Sequence, residues 1–170
     1  MNEYLLPDDI TELAARVVAE NEKAGRKVAT AESCTGGLVS GAITEIAGSS
    51  SVLDRAFVTY SNEAKMESLG VASDIIETFG AVSIACVWAM AHGALERSNA
   101  DVAVAISGVA GPGGGTQLKP VGTVVFARAF RNQDGEPEGE LKHFDGGEGP
   151  GGRAAIRHQA TIWALELLLP

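Results

Sequence analysis

Lys27-Val-Ala-Thr-Ala31, followed at once by Glu32-Ser-Cys-Thr-Gly-Gly37, is the stretch that decides the fold. The first five residues read as a short strand. Two glycines then open a helix on which Leu38, Val39, Ile43 and Ile46 share one face, stopping near Gly48. A strand that passes straight into a helix sets an alternation that the chain continues in both directions. Upstream, Asp8 or Asp9 can cap a first helix with Ile10, Leu13, Ala14, Val17 and Val18 at helical spacing, ended by Gly25. Downstream, Ala56-Phe-Val-Thr-Tyr60 reads as a second strand. It runs into a short helix that Ser61 or Asn62 can cap. Ser73 to Phe79 predicts another short helix closed by Gly80. Ser83 caps a longer one with Ile84, Val87, Trp88, Ala91, Ala94 and Leu95 inward.

Asp101-Val-Ala-Val-Ala-Ile-Ser107 is a mostly apolar run, as expected of a central strand covered on both faces. A glycine-rich loop, Gly108 to Thr116, follows it. Val121 to Phe130 and Glu140 to Phe144 then predict an antiparallel pair joined by the turn-rich Arg131 to Gly139. The last helix begins near Pro150, with Ile156, Ala160, Trp163 and Leu167 on its inner stripe. Helices interleaved with apolar strands predict an α/β fold, a three-layer α/β/α sandwich with a mixed sheet. No linker, repeat or low-complexity segment divides residues 1–170, so one domain is expected.

Composition narrows the function. With 45% hydrophobic and 21% charged residues the chain is too apolar for disorder, and no apolar run is long enough to span a membrane. Met1 to Asp9 carries acids where a signal peptide carries bases, so a cytoplasmic protein is expected. Thirteen basic against 22 acidic residues give a net charge of −9, with no basic patch for a phosphate backbone. Neither nucleic acid nor membrane is an expected partner. Cys34 and Cys86 fit a reduced thiol pair. His92, His143 and His158 show no metal-ligand spacing and read as surface or core-edge side chains.

Candidate chemistry gathers at predicted strand ends, where open α/β sheets place ligands. Ser33 lies between a strand and a helix start, whose amides and partial positive charge suit an oxyanion. Gly36 and Gly37 would leave that start open to close approach by substrate. Ser33 equally reads as a helix cap. Cys34 is a rival nucleophile, though no histidine is placed to serve as its base. Lys65 falls one turn into the helix after Tyr60, whose hydroxyl belongs at the same sheet edge. Partly buried, Lys65 would lose its charge and act as a base for Ser33; otherwise it is a surface lysine between Glu63 and Glu67. Asn62 is explained as a helix cap. The loop Ser107 to Thr116, with five glycines, is either an anion cradle or a flexible connection, and it matches neither a Walker loop nor a dinucleotide fingerprint.

Five blocks then occur in order: Thr30-Ala-Glu-Ser-Cys-Thr-Gly-Gly37, Phe57-Val-Thr-Tyr-Ser-Asn-Glu-Ala-Lys65, Gly80-Ala-Val-Ser83, Ile106-Ser-Gly-Val-Ala-Gly-Pro-Gly-Gly114 and Lys119-Pro-Val-Gly-Thr-Val124. Together they resemble the CinA C-terminal family, the nicotinamide-nucleotide amidases, from about Leu5 to Leu168. The resemblance implies a mixed, mostly parallel five-stranded sheet. It implies metal-free, cofactor-free hydrolysis of nicotinamide mononucleotide to nicotinic acid mononucleotide and ammonia. It assigns Ser33 as nucleophile, Lys65 as base and Tyr60 as proton relay or hydrogen-bonding partner. Amides near Thr35 and Gly36 would form the oxyanion site, and Ser107, Gly108 and Gly111 would line the nucleotide pocket. Arg153 and Arg157 remain as phosphate contacts. Two departures stand out: Ile84 where the family usually has an acid, and Gly152 where Gly-Asp-Arg is common. They keep open a nucleotide-binding module without chemistry, or an amidase for another small amide. Family members also occur fused behind a second domain. The resemblance here is to the stand-alone form, without that partner's pyrophosphatase activity, and to a homodimer or higher homo-oligomer.

Overall fold

The computed structural model describes residues 3–135 and 137–170. Met1 and Asn2, at the start of the stretch read for a leader, and Glu136, in the hairpin turn, lie outside the described residues. Among these residues six α-helices and five strands follow one another: α1 (Asp8–Ala24), β1 (Val28–Glu32), α2 (Leu38–Thr44), β2 (Leu53–Val58), α3 (Asn62–Leu69), α4 (Ser73–Phe79), α5 (Ile84–Glu96), β3 (Val102–Gly108), β4 (Thr123–Phe130), β5 (Glu138–His143) and α6 (Gly152–Leu167). The sheet runs β2-β1-β3-β4-β5. β1 pairs in parallel with both β2 and β3, whereas β4 pairs antiparallel with β3 and β5. Four strands therefore point one way and β4 opposes them, the mixed sheet expected.

Alternation within the strands builds the layers. Val102, Val104 and Ile106 of β3, with Val124 and Phe126 of β4, join one core with α1, α2 and α6. Ala103, Ala105, Ala127 and Ala129 join Ala29 and Ala31 in a second core with α5. An almost all-alanine sheet face lets α5 lie close. On its other side α5 meets the end of α3 at Gly93, where an added Cβ would fall 1.9 Å from Leu69 O.

Punctuation follows local chemistry. Ser61 and Ser83 accept from Ala64 N–H and Cys86 N–H as side-chain caps of α3 and α5. Gly25 and Gly70 close α1 and α3 in the left-handed conformation. The start of α1 differs from expectation: Pro7 is the N-cap and no side chain caps the helix. Proline's fixed φ suits helix entry, and Asp8 and Asp9 fall inside the first turn, where acids favour the helix dipole.

Glu32 contributes a contact on which the site depends. Its fully buried carboxylate accepts from the amides of Gly37 (3.2 Å), Val39 (2.9 Å) and Ser40 (3.1 Å), so the end of β1 is tied to the start of α2. Removing it strands three amides. Glu32→Ala is expected to destabilise the fold by about 3 kcal/mol and Glu32→Gln by less, as measured by urea titration. Gly93→Ala is expected to lose about 2–3 kcal/mol through overpacking against Leu69 O, seen as a lower midpoint in the same titration.

Candidate active site

β1 is flanked by β2 on one side and β3 on the other, and the connections that leave its end and return to β3 cover opposite faces of the sheet. The crevice beyond the carboxyl end of β1 is thus a switch point of the topology, where such sheets bind ligands. Ser33 is the first residue after β1 and keeps 8% of its surface exposed. Its own amide donates to Ile106 O, which fixes it against β3.

Lys65 enters from α3. It is 1% exposed, yet no carboxylate partners it among the described residues. Lys65 Nζ lies 3.1 Å from Ser33 Oγ, 2.8 Å from Thr59 O, 3.4 Å from Tyr60 O and 3.5 Å from Ser61 O. Burial pushes its ionisation below lysine's ordinary 10.5, against a smaller opposing influence from the Cys86 and Cys34 thiols. Protonated, Lys65 Nζ donates to Ser33 Oγ and to these carbonyls; with its proton gone, its lone pair can accept the Ser33 hydroxyl across the same 3.1 Å.

Cys34 competes poorly. Its thiol is buried against Gly108, and burial raises its pKa to about 12. A Cβ at Gly108 would sit 2.8 Å from Val124 Cγ2 and 3.1 Å from Cys34 Sγ, so only glycine fits there.

Ser33, Tyr60, Lys65, Ser107, Gly108 and Arg153 all line one cleft of about 200 Å³, together with Asn62, Ala81, Val82 and Ala110. Three larger hollows, about 270 Å³ beside the β4–β5 turn, 650 Å³ between α1 and α6 and 480 Å³ beside α4 and α5, have neither a serine nor a cysteine in their walls among the described residues. No acid lines the cleft among the described residues, although the chain carries a net charge of −9.

Several expected site residues take different roles. Gly37 N–H is held by Glu32, and Gly36 N–H donates 3.0 Å to Ser33 O in the turn. The start of α2 is therefore not open to substrate, and Gly36 supplies no oxyanion donor. Thr35 N–H, by contrast, has no acceptor among the described residues, although Thr35 is fully buried and its side chain does not line the cleft; Cys34 N–H lies against its own thiol. The Tyr60 hydroxyl accepts from Arg153 Nη2 at 3.0 Å, and Arg153 Nη1 donates to Gly111 O at 2.6 Å. Arg157 points inward to the carbonyls of Cys34 and Thr35, not to the cleft. Ile84 packs against Gly139, and Gly152 against Gly146; neither lines the cleft. Glu32 and Asn62 carry more of the site than their positions suggested. An acid between a strand and a glycine-opened helix was the available signal for Glu32.

The family model for the CinA C-terminal domain matches residues 10–170. The nicotinamide-nucleotide amidohydrolase PncC of Escherichia coli (strain K12) is 47% identical over 160 residues, 94% of this chain and 93% of that protein. The CinA-like protein of Akkermansia muciniphila is 48% identical over 166 residues, 98% of this chain but 38% of its own length. The crystal structure of the competence/damage inducible protein CihA from Agrobacterium tumefaciens superposes with a TM-score of 0.89 at 50% identity, covering 99% of this chain and 97% of that one. With fold and sequence in agreement over nearly its whole length, this chain belongs to the CinA C-terminal domain family.

Proposed function

We propose that this chain is a nicotinamide-nucleotide amidase that hydrolyses the carboxamide of nicotinamide mononucleotide to nicotinic acid mononucleotide and ammonia, using Ser33 as nucleophile and Lys65 as base. The observation that carries this reading is the buried Lys65 Nζ, 3.1 Å from Ser33 Oγ and without a carboxylate partner among the described residues. Relatives named for this activity, at 47–48% identity over about nine-tenths of the chain, supply the substrate. The continuous sheet supports one such domain over residues 1–170, and two buried free thiols suit a reducing cytoplasm.

Lys65 Nζ takes the hydroxyl proton as Ser33 Oγ adds to the carboxamide carbon. The oxyanion lies against the amides of Cys34 and Thr35. Lys65, now protonated, gives its proton to the departing nitrogen, and ammonia leaves an ester on Ser33. Water then attacks that ester, giving one proton to Lys65. The carboxylic acid departs as the proton returns to Ser33 Oγ. Ser107 and Gly108 border the reacting group, and Ala81, Val82 and Ala110 provide an apolar wall for a flat ring. Arg153, at the exposed rim with Tyr60, meets the anionic part of the nucleotide; Tyr60 acts as Arg153's hydrogen-bonding partner. An acid-free cleft in an acidic chain supports an anionic substrate.

Ammonia release from nicotinamide mononucleotide tests the assignment. Ser33→Ala and Lys65→Met are expected to lose at least about a thousandfold in kcat with unchanged melting temperature, and Cys34→Ala to stay within about threefold. Binding of the nucleotide by the wild type without ammonia release would instead mark a binding module. The pH profile follows from the sign of the Lys65 shift. The neutral amine is the base, so kcat/KM should rise with pH through an ionisation below 10.5. An activity that falls with rising pH over that range would contradict the role of Lys65.

A further inference from the structure

Arg153 and Arg157 stand one turn apart on α6, and both read as phosphate contacts in the sequence. Only Arg153 reaches the cleft. Arg157 Nε donates 3.0 Å to Cys34 O and its Nη2 3.3 Å to Thr35 O, spanning more than 120 residues of sequence. Its guanidinium comes so near the turn that a Cβ on Gly36 would lie 3.4 Å from Nη2.

The carbonyl of Cys34 and the N–H of Thr35 belong to the same peptide group and point in opposite directions across it. A cation hydrogen-bonded to the oxygen draws electron density from the nitrogen, so the N–H on the far side becomes a stronger donor. It also fixes the plane of that peptide. Thr35 N–H is an amide of the turn that no protein acceptor uses among the described residues. The neighbouring amides of Gly36 and Gly37 are occupied, by Ser33 O and Glu32.

We infer that Arg157 is a positioning residue for the oxyanion site, holding and polarising the Cys34–Thr35 peptide so that Thr35 N–H meets the charge that develops on the substrate oxygen. It touches no substrate and acts through that peptide. The inference rests on the Ser33 reading above and adds to it a residue that stabilises the transition state in preference to the bound substrate.

The test uses the intact protein with Arg157→Ala and Arg157→Lys, read in two ways. In turnover of nicotinamide mononucleotide, Arg157→Ala should lower kcat about a hundredfold with KM within about threefold, the pattern of a lost oxyanion contribution. Arg157→Lys should retain an intermediate kcat, and guanidinium chloride far below denaturing concentration should restore part of the Arg157→Ala rate. In the second readout, a small fluorophosphonate labels Ser33 and intact mass follows the rate. Labelling creates the same negative oxygen without needing the nucleotide, and it should slow by a similar factor in Arg157→Ala. A raised KM with unchanged kcat would make Arg157 a substrate contact and overturn the inference, as would labelling at the wild-type rate. If the wild type is labelled at Ser33 but releases no ammonia, the proposed substrate fails while the labelling rates still decide Arg157. A wild type that is not labelled overturns both.

Discussion

A lysine amine buried beside a serine hydroxyl, with no carboxylate partner among the described residues, is the constraint around which the rest of this structure is arranged. Burying an ammonium without a counter-ion is costly, and that cost moves the ionisation of Lys65 below its ordinary value. Lys65 is held in that place from several sides. Ser61 caps the helix that carries it, and the carbonyls of Thr59, Tyr60 and Ser61 receive its N–H groups. Helix α5 packs against α3 at a position where only glycine fits, and reaches the sheet across a layer of alanines. The low, even surface of that layer is what lets helices close over the amine. Packing thus lowers the ionisation on which the proposed chemistry depends.

The second element is the turn after β1. Helix starts attract anions, and α2 would compete for the substrate's negative charge if its first amides were free. Glu32 fills that role permanently. With the helix satisfied internally, the amide left without an acceptor among the described residues is that of Thr35, two residues from the nucleophile. Helix α6 completes the arrangement with two arginines one turn apart. One binds Tyr60 and Gly111 at the rim, and the other braces the turn from behind. In a chain whose net charge is −9, the cleft is bordered by Lys65 and Arg153 and by no acid among the described residues. Local and global electrostatics have opposite signs here. Solubility is served by one and anion recognition by the other.

Much of the fold was legible because the sequence marks its elements locally. The alternation Val-Ala-Val-Ala-Ile over 102–106 gives β3 its two apolar faces. Ser61, Ser83, Gly25 and Gly80 stand where helices start and stop. Ser33 was legible as a strand-end residue, and the five sequence blocks gave it a partner in Lys65. Spacing alone left Lys65 as readily a surface lysine between two glutamates, because its burial is decided by α5 and the sheet rather than by its neighbours in sequence. The same reason hid the roles of the long side chains. Arg153 and Arg157 lie four residues apart on one helix, and the packing of α6 against the turn sends one inward. Glu32 drew no role from the sequence because its three amide partners lie five to eight residues away, in a turn whose path spacing does not specify.

The most direct test of the central claim is the ionisation of Lys65 itself, followed by NMR titration of its side-chain nitrogen in the folded protein, with Lys65→Met to assign the signal. A midpoint below 10.5, moving further from the surface-lysine value than any change in bulk salt can produce, is the predicted result. A midpoint at or above 10.5 would mean that the amine stays charged beside Ser33. The serine–lysine account would then be wrong.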